Sequence, residues 1–155
     1  MELYSAIERE CPDAILHCGD YYEDVCELQQ AYPDLQIDGV LGNNDWGVSS
    51  LQHQTIVHEK LPIYLTHGHR EGVSAYSPGR VAQAAQAQGC KLAFFGHTHR
   101  PFCGQIDSVL VINPGSISLP RSSPASYCRV ILEDGIIRSV TFLDTEGMPF
   151  EPVDF

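Results

Sequence analysis

The 155 residues are enough for one domain with its own hydrophobic core, and no second domain needs to be assumed. Nine basic and 20 acidic side chains give a formal net charge of −11, which disfavours nonspecific binding to nucleic acid or to an anionic membrane. No apolar run reaches the roughly 18 residues of a membrane span, and the N-terminal stretch is too polar for a signal peptide. We therefore expect a cytoplasmic protein, and we expect its six scattered cysteines to be reduced.

The first half of the chain alternates predicted helices and strands. Leu3, Ala6 and Ile7 share one face of a short amphipathic helix, and Pro12 follows the helix end. The predicted elements are a helix at 2–10, a strand at 14–17, a helix at 22–31, and strands at 37–41 and 61–65. This alternation is typical of a layered α/β domain.

The second half begins with one more helix and continues mainly as strands. The helix covers 80–88, is rich in Ala and Gln, and has Gly89 as its C-cap. Strands follow at 91–95, 109–112, 127–132 and 136–142, the last two joined by the hairpin turn Glu133-Asp134-Gly135. The tail from Asp144 is predicted to be irregular. These patterns together predict mixed sheets with helices.

Polar side chains follow four of the predicted strands at or near their carboxyl ends. They are Asp20, Asn43, His67 and the pair His97 and His99. Ligands gather at the carboxyl ends of strands in open α/β sheets. A lone His-x-His is equally compatible with hydrogen-bonded structural histidines, but four ligand-bearing turns in strand order favour a metal site.

The donor types indicate which ions such a site would take. Carboxylate and amide oxygens combined with imidazole nitrogens suit Mn²⁺, Fe²⁺, Zn²⁺ or Ni²⁺ better than Mg²⁺ or Ca²⁺. A carboxylate can bridge two ions, and two ions about 3.5 to 4 Å apart activate a water and clamp a phosphate for attack. The pattern therefore predicts phosphoester hydrolysis.

Four sequence boxes carry a resemblance to a known family. They are Gly19-Asp20, Gly42-Asn43-Asn44-Asp45, His67-Gly68-His69 and Gly96-His97-Thr98-His99. In this order they resemble the calcineurin-like metallophosphoesterase superfamily, and within it the small YfcE-type phosphodiesterases. The resemblance implies a four-layer α/β/β/α sandwich and two divalent ions. It also implies that Asp20 bridges the ions, that Asn43, His67 and His97 complete one shell, and that His99 belongs to the other.

Two features depart from the family pattern. The family opens with a buried strand that ends in Asp-x-His, and this sequence begins at the helix that should follow. Losing three or four buried aliphatic side chains would cost on the order of 5 to 12 kcal/mol, so we expect a misassigned start codon or a shortened polypeptide. Asn44 stands where related families place His or Cys, and an amide cannot act as a general acid.

The functional expectation is a metal-dependent phosphodiesterase that acts on small phosphate esters. Asn43, His69 and Arg100 are the candidate substrate-binding residues, and specificity is expected to lie in loops such as 70–79. A homo-oligomer is compatible with the sequence. The alternative is a protein-binding scaffold that keeps the fold without catalysis, as the small retromer subunit does.

Overall fold

The computed structural model describes residues 2–46, 49–73 and 77–152. Three helices lie among them, α1 (Glu2–Glu10), α2 (Tyr22–Ala31) and α3 (Gly79–Ala87), together with a short 3₁₀ turn at Ser49–Leu51. The strands of these residues are β1 (Ala14–His17), β2 (Gln36–Gly39), β3 (His53–His58), β4 (Leu61–Thr66), β5 (Leu92–Phe94), β6 (Pro101–Ile106), β7 (Val109–Pro114), β8 (Ser126–Glu133), β9 (Ile136–Asp144) and β10 (Pro149–Phe150).

The largest sheet has five strands in the order β3-β4-β5-β7-β6. Within it β4, β5 and β7 run parallel, while β3 and β6 are antiparallel edge strands. Every residue of β5 is buried, which explains its continuous apolar run in the sequence. A parallel pair, β1-β2, and an antiparallel ribbon, β10-β9-β8, form the second sheet layer.

The two sheet layers enclose the main core, and helices cover their outer faces. Ile63, Leu92 and Ile112 of the large sheet pack in one cluster with Val40 and Phe142 of the second layer. Val81, Ala82 and Ala85 place α3 on the other face of the large sheet, in a cluster with Tyr64 and Val111. The cluster of α1, α2 and the parallel pair consists of Ile7, Val25, Leu28 and Ile37. The predicted four-layer α/β/β/α sandwich of mixed sheets is confirmed.

The predicted elements agree with this architecture except at a few places. β2 ends at Gly39, although the buried Val40 and Leu41 continue the apolar run. The Val40 N–H still donates to the His17 carbonyl of β1, but the Leu41 N–H donates to the Leu51 carbonyl instead. β6 was not predicted from the sequence. The prediction of an irregular tail was wrong in part, since Pro149 and Phe150 pair with β9. Residues 153–155 lie outside the described residues. Residues 74–76 of the expected specificity loop also lie outside them.

The second sheet layer is split between β1 and β8. Among the described residues β1 pairs only with β2 and β8 only with β9, so each strand keeps one unpaired edge. Cavities of about 310 and 650 Å³ lie along this gap, and Leu16, Cys18, Cys128 and Val130 line both. We call this gap the β1/β8 slot. All six cysteines are unpaired.

None of the described helices is long and apolar enough to cross a membrane.

Candidate metal centre

The carboxyl ends of four strands bring the predicted ligands together. β1 leads to Asp20, β2 to Asn43, β4 to His67, and β5 to His97 and His99. The β1-β2 and β4-β5 pairs are both parallel, so each pair ends at one edge of its sheet. All five side chains then meet beyond these strand ends.

Asp20 lies between two of the histidines. Its Oδ2 atom is 2.6 Å from Nε2 of His99, and its Oδ1 atom is 3.5 Å from Nε2 of His67. One carboxylate thus presents a different oxygen to each ring. That is the arrangement a bridging ligand needs.

Asn43 occupies the equivalent position between the other pair of rings. Its Oδ1 atom is 3.0 Å from Nε2 of His67 and 3.1 Å from Nδ1 of His97. The rings of His67 and His97 lie edge to face with centroids 5.2 Å apart. Asn43, His67 and His97 therefore form one group, and Asp20 and His99 form a second that shares His67.

Two backbone carbonyls decide which ring nitrogens carry lone pairs. Nδ1 of His67 lies 2.7 Å from the Cys18 carbonyl, and Nδ1 of His99 lies 2.8 Å from the Leu119 carbonyl. A carbonyl only accepts, so both Nδ1 atoms donate, and in the neutral rings both Nε2 atoms bear lone pairs. Metal-bound histidines are held by the same kind of contact.

Those lone pairs point at oxygen atoms that also bear lone pairs. Asn43 can resolve the conflict by turning its NH₂ group toward the rings, but the carboxylate of Asp20 has no donor to offer. Either a proton or a cation must lie between Asp20 and His99. The residues present therefore fit a divalent ion, although no three His, Cys, Asp or Glu side chains of the described residues are already spaced as one ion's shell.

Burial keeps His67 in the form that can bind a metal. The side chain is 1% exposed, and this burial lowers its pKa from the usual value, against the opposing effects of the Cys18 carbonyl and the Asp20 charge. A lowered pKa favours the neutral ring, whose Nε2 atom is a ligand rather than a donor.

The backbone at the site is strained. Asp20, His97 and His99 have φ angles of 84°, 62° and 58°, in the left-handed region that residues with a Cβ rarely adopt. Such strain clusters at functional sites because the surrounding structure must hold it in place. Gly42 is required for a different reason, since a Cβ there would lie 2.3 Å from the Asp20 nitrogen.

Three further residues hold the ligand loops, and sequence reasoning assigned them no role. Asp45 accepts the N–H groups of Gly42 at 2.9 Å and Tyr22 at 3.0 Å, which joins two ligand loops. Asn113 is fully buried and donates to the Gly96 carbonyl at 2.8 Å. Leu119 supplies the carbonyl that orients His99. Asp45 was visible as the last residue of its box, and Asn113 as the start of an Asn-Pro-Gly-Ser turn.

The predicted substrate-binding residues lie around this group. The His69 ring is 5.2 Å from that of His67, and its buried Nδ1 atom has no hydrogen-bond partner among the described residues. Burial, followed by the charges of Arg70 and His97, lowers its pKa. Arg100 is half-buried next to His99, and Asn44 is exposed, with its Oδ1 atom accepting from Asn43.

The fold and the cluster of Asp, Asn and His at strand ends define a metallophosphoesterase-type protein. The profile of the calcineurin-like phosphoesterase superfamily domain matches residues 1–135, and the chain belongs to this superfamily. It is 29% identical over 140 residues to the probable metallophosphoesterase YsnB of Bacillus subtilis, covering 90% of this chain and 79% of that protein. It is 25% identical over 146 residues to the phosphodiesterase MJ0936 of Methanocaldococcus jannaschii, covering 78% and 83%.

Solved structures agree with this assignment. A predicted phosphoesterase from Streptococcus pneumoniae superposes with a TM-score of 0.78 at 26% identity, covering 96% of this chain and 86% of that one. A variant of Vps29 from Entamoeba histolytica superposes with a TM-score of 0.70 at 20% identity, covering 92% and 82%. The Vps29 likeness shows the fold alone.

Proposed function

We propose that this protein is a metal-dependent phosphodiesterase that acts on small phosphate esters. The observation that carries the proposal is the pair of Nε2 lone pairs on His67 and His99 that face the oxygens of Asn43 and Asp20. Superfamily membership and the phosphodiesterase among its relatives support the same reaction. Bound divalent ions would supply an activated water and neutralise charge on the phosphate.

The chain's own residues divide the remaining work. Asp20 would bridge the two ions, Asn43, His67 and His97 would hold one of them, and His99 would hold the other. His69, whose buried Nδ1 atom has no hydrogen-bond partner among the described residues, and Arg100, which follows His99 in the chain, would bind phosphate oxygens. Asn44 offers an amide, so protonation of the leaving group would have to come from elsewhere.

We also propose that the β1/β8 slot receives one additional strand, as the family resemblance implies. The slot ends beside the metal centre, since the smaller cavity is lined by Cys18 and Val130 and also by Asp20 and His99. A strand that pairs with both open edges would end next to the His99 group. There it would provide the ligands that this group lacks.

Metal content and hydrolysis of bis(p-nitrophenyl) phosphate test the proposed function. The chain of 155 residues should bind about one Zn²⁺ or Mn²⁺, and a form with an added N-terminal strand that ends in Asp-x-His should bind two and hydrolyse the diester. Asp20→Asn should lose both properties, whereas Asp134→Asn, on the distant hairpin turn, should keep them. An extended form that binds metal fully but never turns over phosphate esters would refute the enzyme proposal.

The open slot also favours a second candidate, a scaffold that binds another protein. Its apolar lining and its free strand edges are what an added strand recognises. Under this alternative the histidines of the candidate metal centre would not need to bind a metal ion. A chain that captures a partner at the slot and has no measurable affinity for Zn²⁺, Mn²⁺ or Ni²⁺ would favour the scaffold over the enzyme.

A further inference from the structure

The half-buried carboxylate of Glu71 closes the turn that carries His67 and His69. Its Oε1 atom accepts hydrogen bonds from the Tyr64 hydroxyl at 3.0 Å and from the Thr66 hydroxyl at 2.9 Å. Both donors belong to β4 and are only 3% and 1% exposed, so the packing around them fixes their positions. The turn is therefore attached to the carboxyl end of the strand.

Thr66 connects Glu71 to the backbone of the ligand loop. Its hydroxyl donates its single proton to Glu71, and its oxygen accepts the N–H of Gly68 at 3.3 Å. The residue between Thr66 and Gly68 is the ligand His67. The His67 carbonyl in turn accepts the N–H of Gly96, the residue before the next ligand histidine, at 3.1 Å. A series of contacts thus leads from one carboxylate to two ligand loops.

Stability alone does not explain a carboxylate at position 71. The Oε2 atom of Glu71 is buried and has no hydrogen-bond partner in the part of the chain that the structure describes. Burial of an unpaired carboxylate oxygen costs free energy, which an apolar side chain would avoid. Polar groups that orient metal ligands are kept in spite of such a cost, because the geometry of the ligands depends on them.

We propose that Glu71 is a positioning residue of the metal centre, which sets the orientation of His67 and, through Gly96, its spacing from His97. The inference rests on the proposed metal-dependent function and adds to it a residue that acts on the ligands without contacting the ion. Without the carboxylate, the Thr66 hydroxyl would be free to rotate and the turn would no longer be held against β4. Replacing a side chain in such a role lowers metal affinity by about tenfold to a hundredfold.

Zinc calorimetry on the 155-residue chain tests this role. Glu71→Ala should weaken Zn²⁺ binding at least about tenfold. Glu71→Gln keeps an oxygen that can accept from both hydroxyls, so it should restore most of the affinity. Glu10→Ala is the matched control and should leave the affinity unchanged, because Glu10 is also a half-buried carboxylate that accepts from a tyrosine, Tyr127 at 2.8 Å.

Two spectroscopic readouts separate positioning from a purely structural role. The absorption spectrum of bound Co²⁺ reports the geometry of the ligands and should change in Glu71→Ala but not in Glu10→Ala. In the metal-free protein, His67 donates its Nδ1 proton to the Cys18 carbonyl at 2.7 Å. The NMR signal of this proton should shift in Glu71→Ala and stay in place in the control.

The outcomes distinguish this inference from the function on which it rests. A Glu71→Ala protein that melts at a lower temperature but binds Zn²⁺ with parental affinity would overturn the positioning role and leave the metal-dependent function standing. Equal weakening in Glu71→Gln would mean that the charge itself acts on the ion, which would also overturn it. If Glu71→Ala does not fold, Thr66→Val removes the connecting hydroxyl with little change of shape, and parental affinity in that variant would refute the role. A parent chain that binds no Zn²⁺ would overturn both proposals.

Discussion

Gly42→Ala is expected to disrupt the metal centre by forcing two ligand loops apart. An alanine Cβ would lie 2.3 Å from the Asp20 nitrogen and 2.5 Å from its Cα atom, distances that real Cβ atoms essentially never show. To restore a 3.0 Å contact the loops must separate by about 0.7 Å, the difference between 3.0 and 2.3. The Tyr22 N–H bond to Asp45, which joins the two loops, opposes this separation. Overpacking of this kind costs about 1 to 3 kcal/mol.

Thermal unfolding and zinc calorimetry measure the two consequences separately. A loss of that size lowers the melting temperature by about 3 to 10 °C in a domain of this length. Zinc affinity should fall as well, because the displaced loops contain the ligands Asp20 and Asn43. Gly79→Ala is the control, since its Cβ would meet nothing closer than 3.7 Å, and should stay within about 0.5 kcal/mol of the parent. A Gly42→Ala protein with parental melting temperature and zinc affinity would refute the steric reasoning.

Three further changes test individual contacts. His97→Asn should weaken zinc binding at least about tenfold. The melting temperature should stay nearly constant, because asparagine tolerates the φ of 62°. A large drop in the melting temperature would instead make His97 a structural residue. Tyr64→Phe removes the hydroxyl that donates to Glu71 at 3.0 Å and should lower the free energy of unfolding by about 1 kcal/mol in urea titrations, whereas an unchanged midpoint would mean the bond adds nothing. Burial lowers the pKa of His17, against the opposing charge of Asp24, so below pH 6.5 the unfolded chain binds a proton that the folded chain resists. The free energy of unfolding should therefore keep its full value above pH 6.5 and decline below it, and His17→Gln should flatten part of that decline.

The ligands were predictable because each follows an apolar strand, and glycine precedes several of them. The sequence spacing alone placed Asp20, Asn43, His67 and the histidine pair at strand ends, and the parallel sheets then brought them together. The contacts that orient them were not predictable in this way. Leu119 reaches His99 across 20 residues and Asn113 reaches Gly96 across 17, through turns that carry no periodic signal.

Strand β6 shows why part of the fold escapes prediction. It begins with Pro101 and contains Gly104, two residue types that are depleted in strands. β6 is an edge strand that pairs only with β7, and an edge tolerates a proline because the missing N–H can face away from the ladder. Tertiary pairing therefore decides this element, and local propensity opposes it.

The β1/β8 slot and the metal centre are expected to respond together. The slot exposes two strand edges and the partly buried side chains of Leu16, Cys18, Cys128 and Val130. A strand that filled it would remove apolar surface from water at about 25 cal/mol per Å² and pair both edges. Because the slot leads to Asp20 and His99, binding of the strand and binding of the second ion would each strengthen the other by the same factor.

A chain that carries an added N-terminal strand ending in Asp-x-His should consequently melt at a higher temperature than the present one, and added Zn²⁺ should raise its melting temperature further than it raises the shorter chain's. Replacing Val130 by aspartate would place a charge in the slot without touching a ligand. This variant should reduce the stability gained from the extension and the affinity for the second ion together, as followed by calorimetry. If the extension raised stability while zinc binding stayed at one ion, the slot would be a purely structural site and the second shell would have to come from elsewhere.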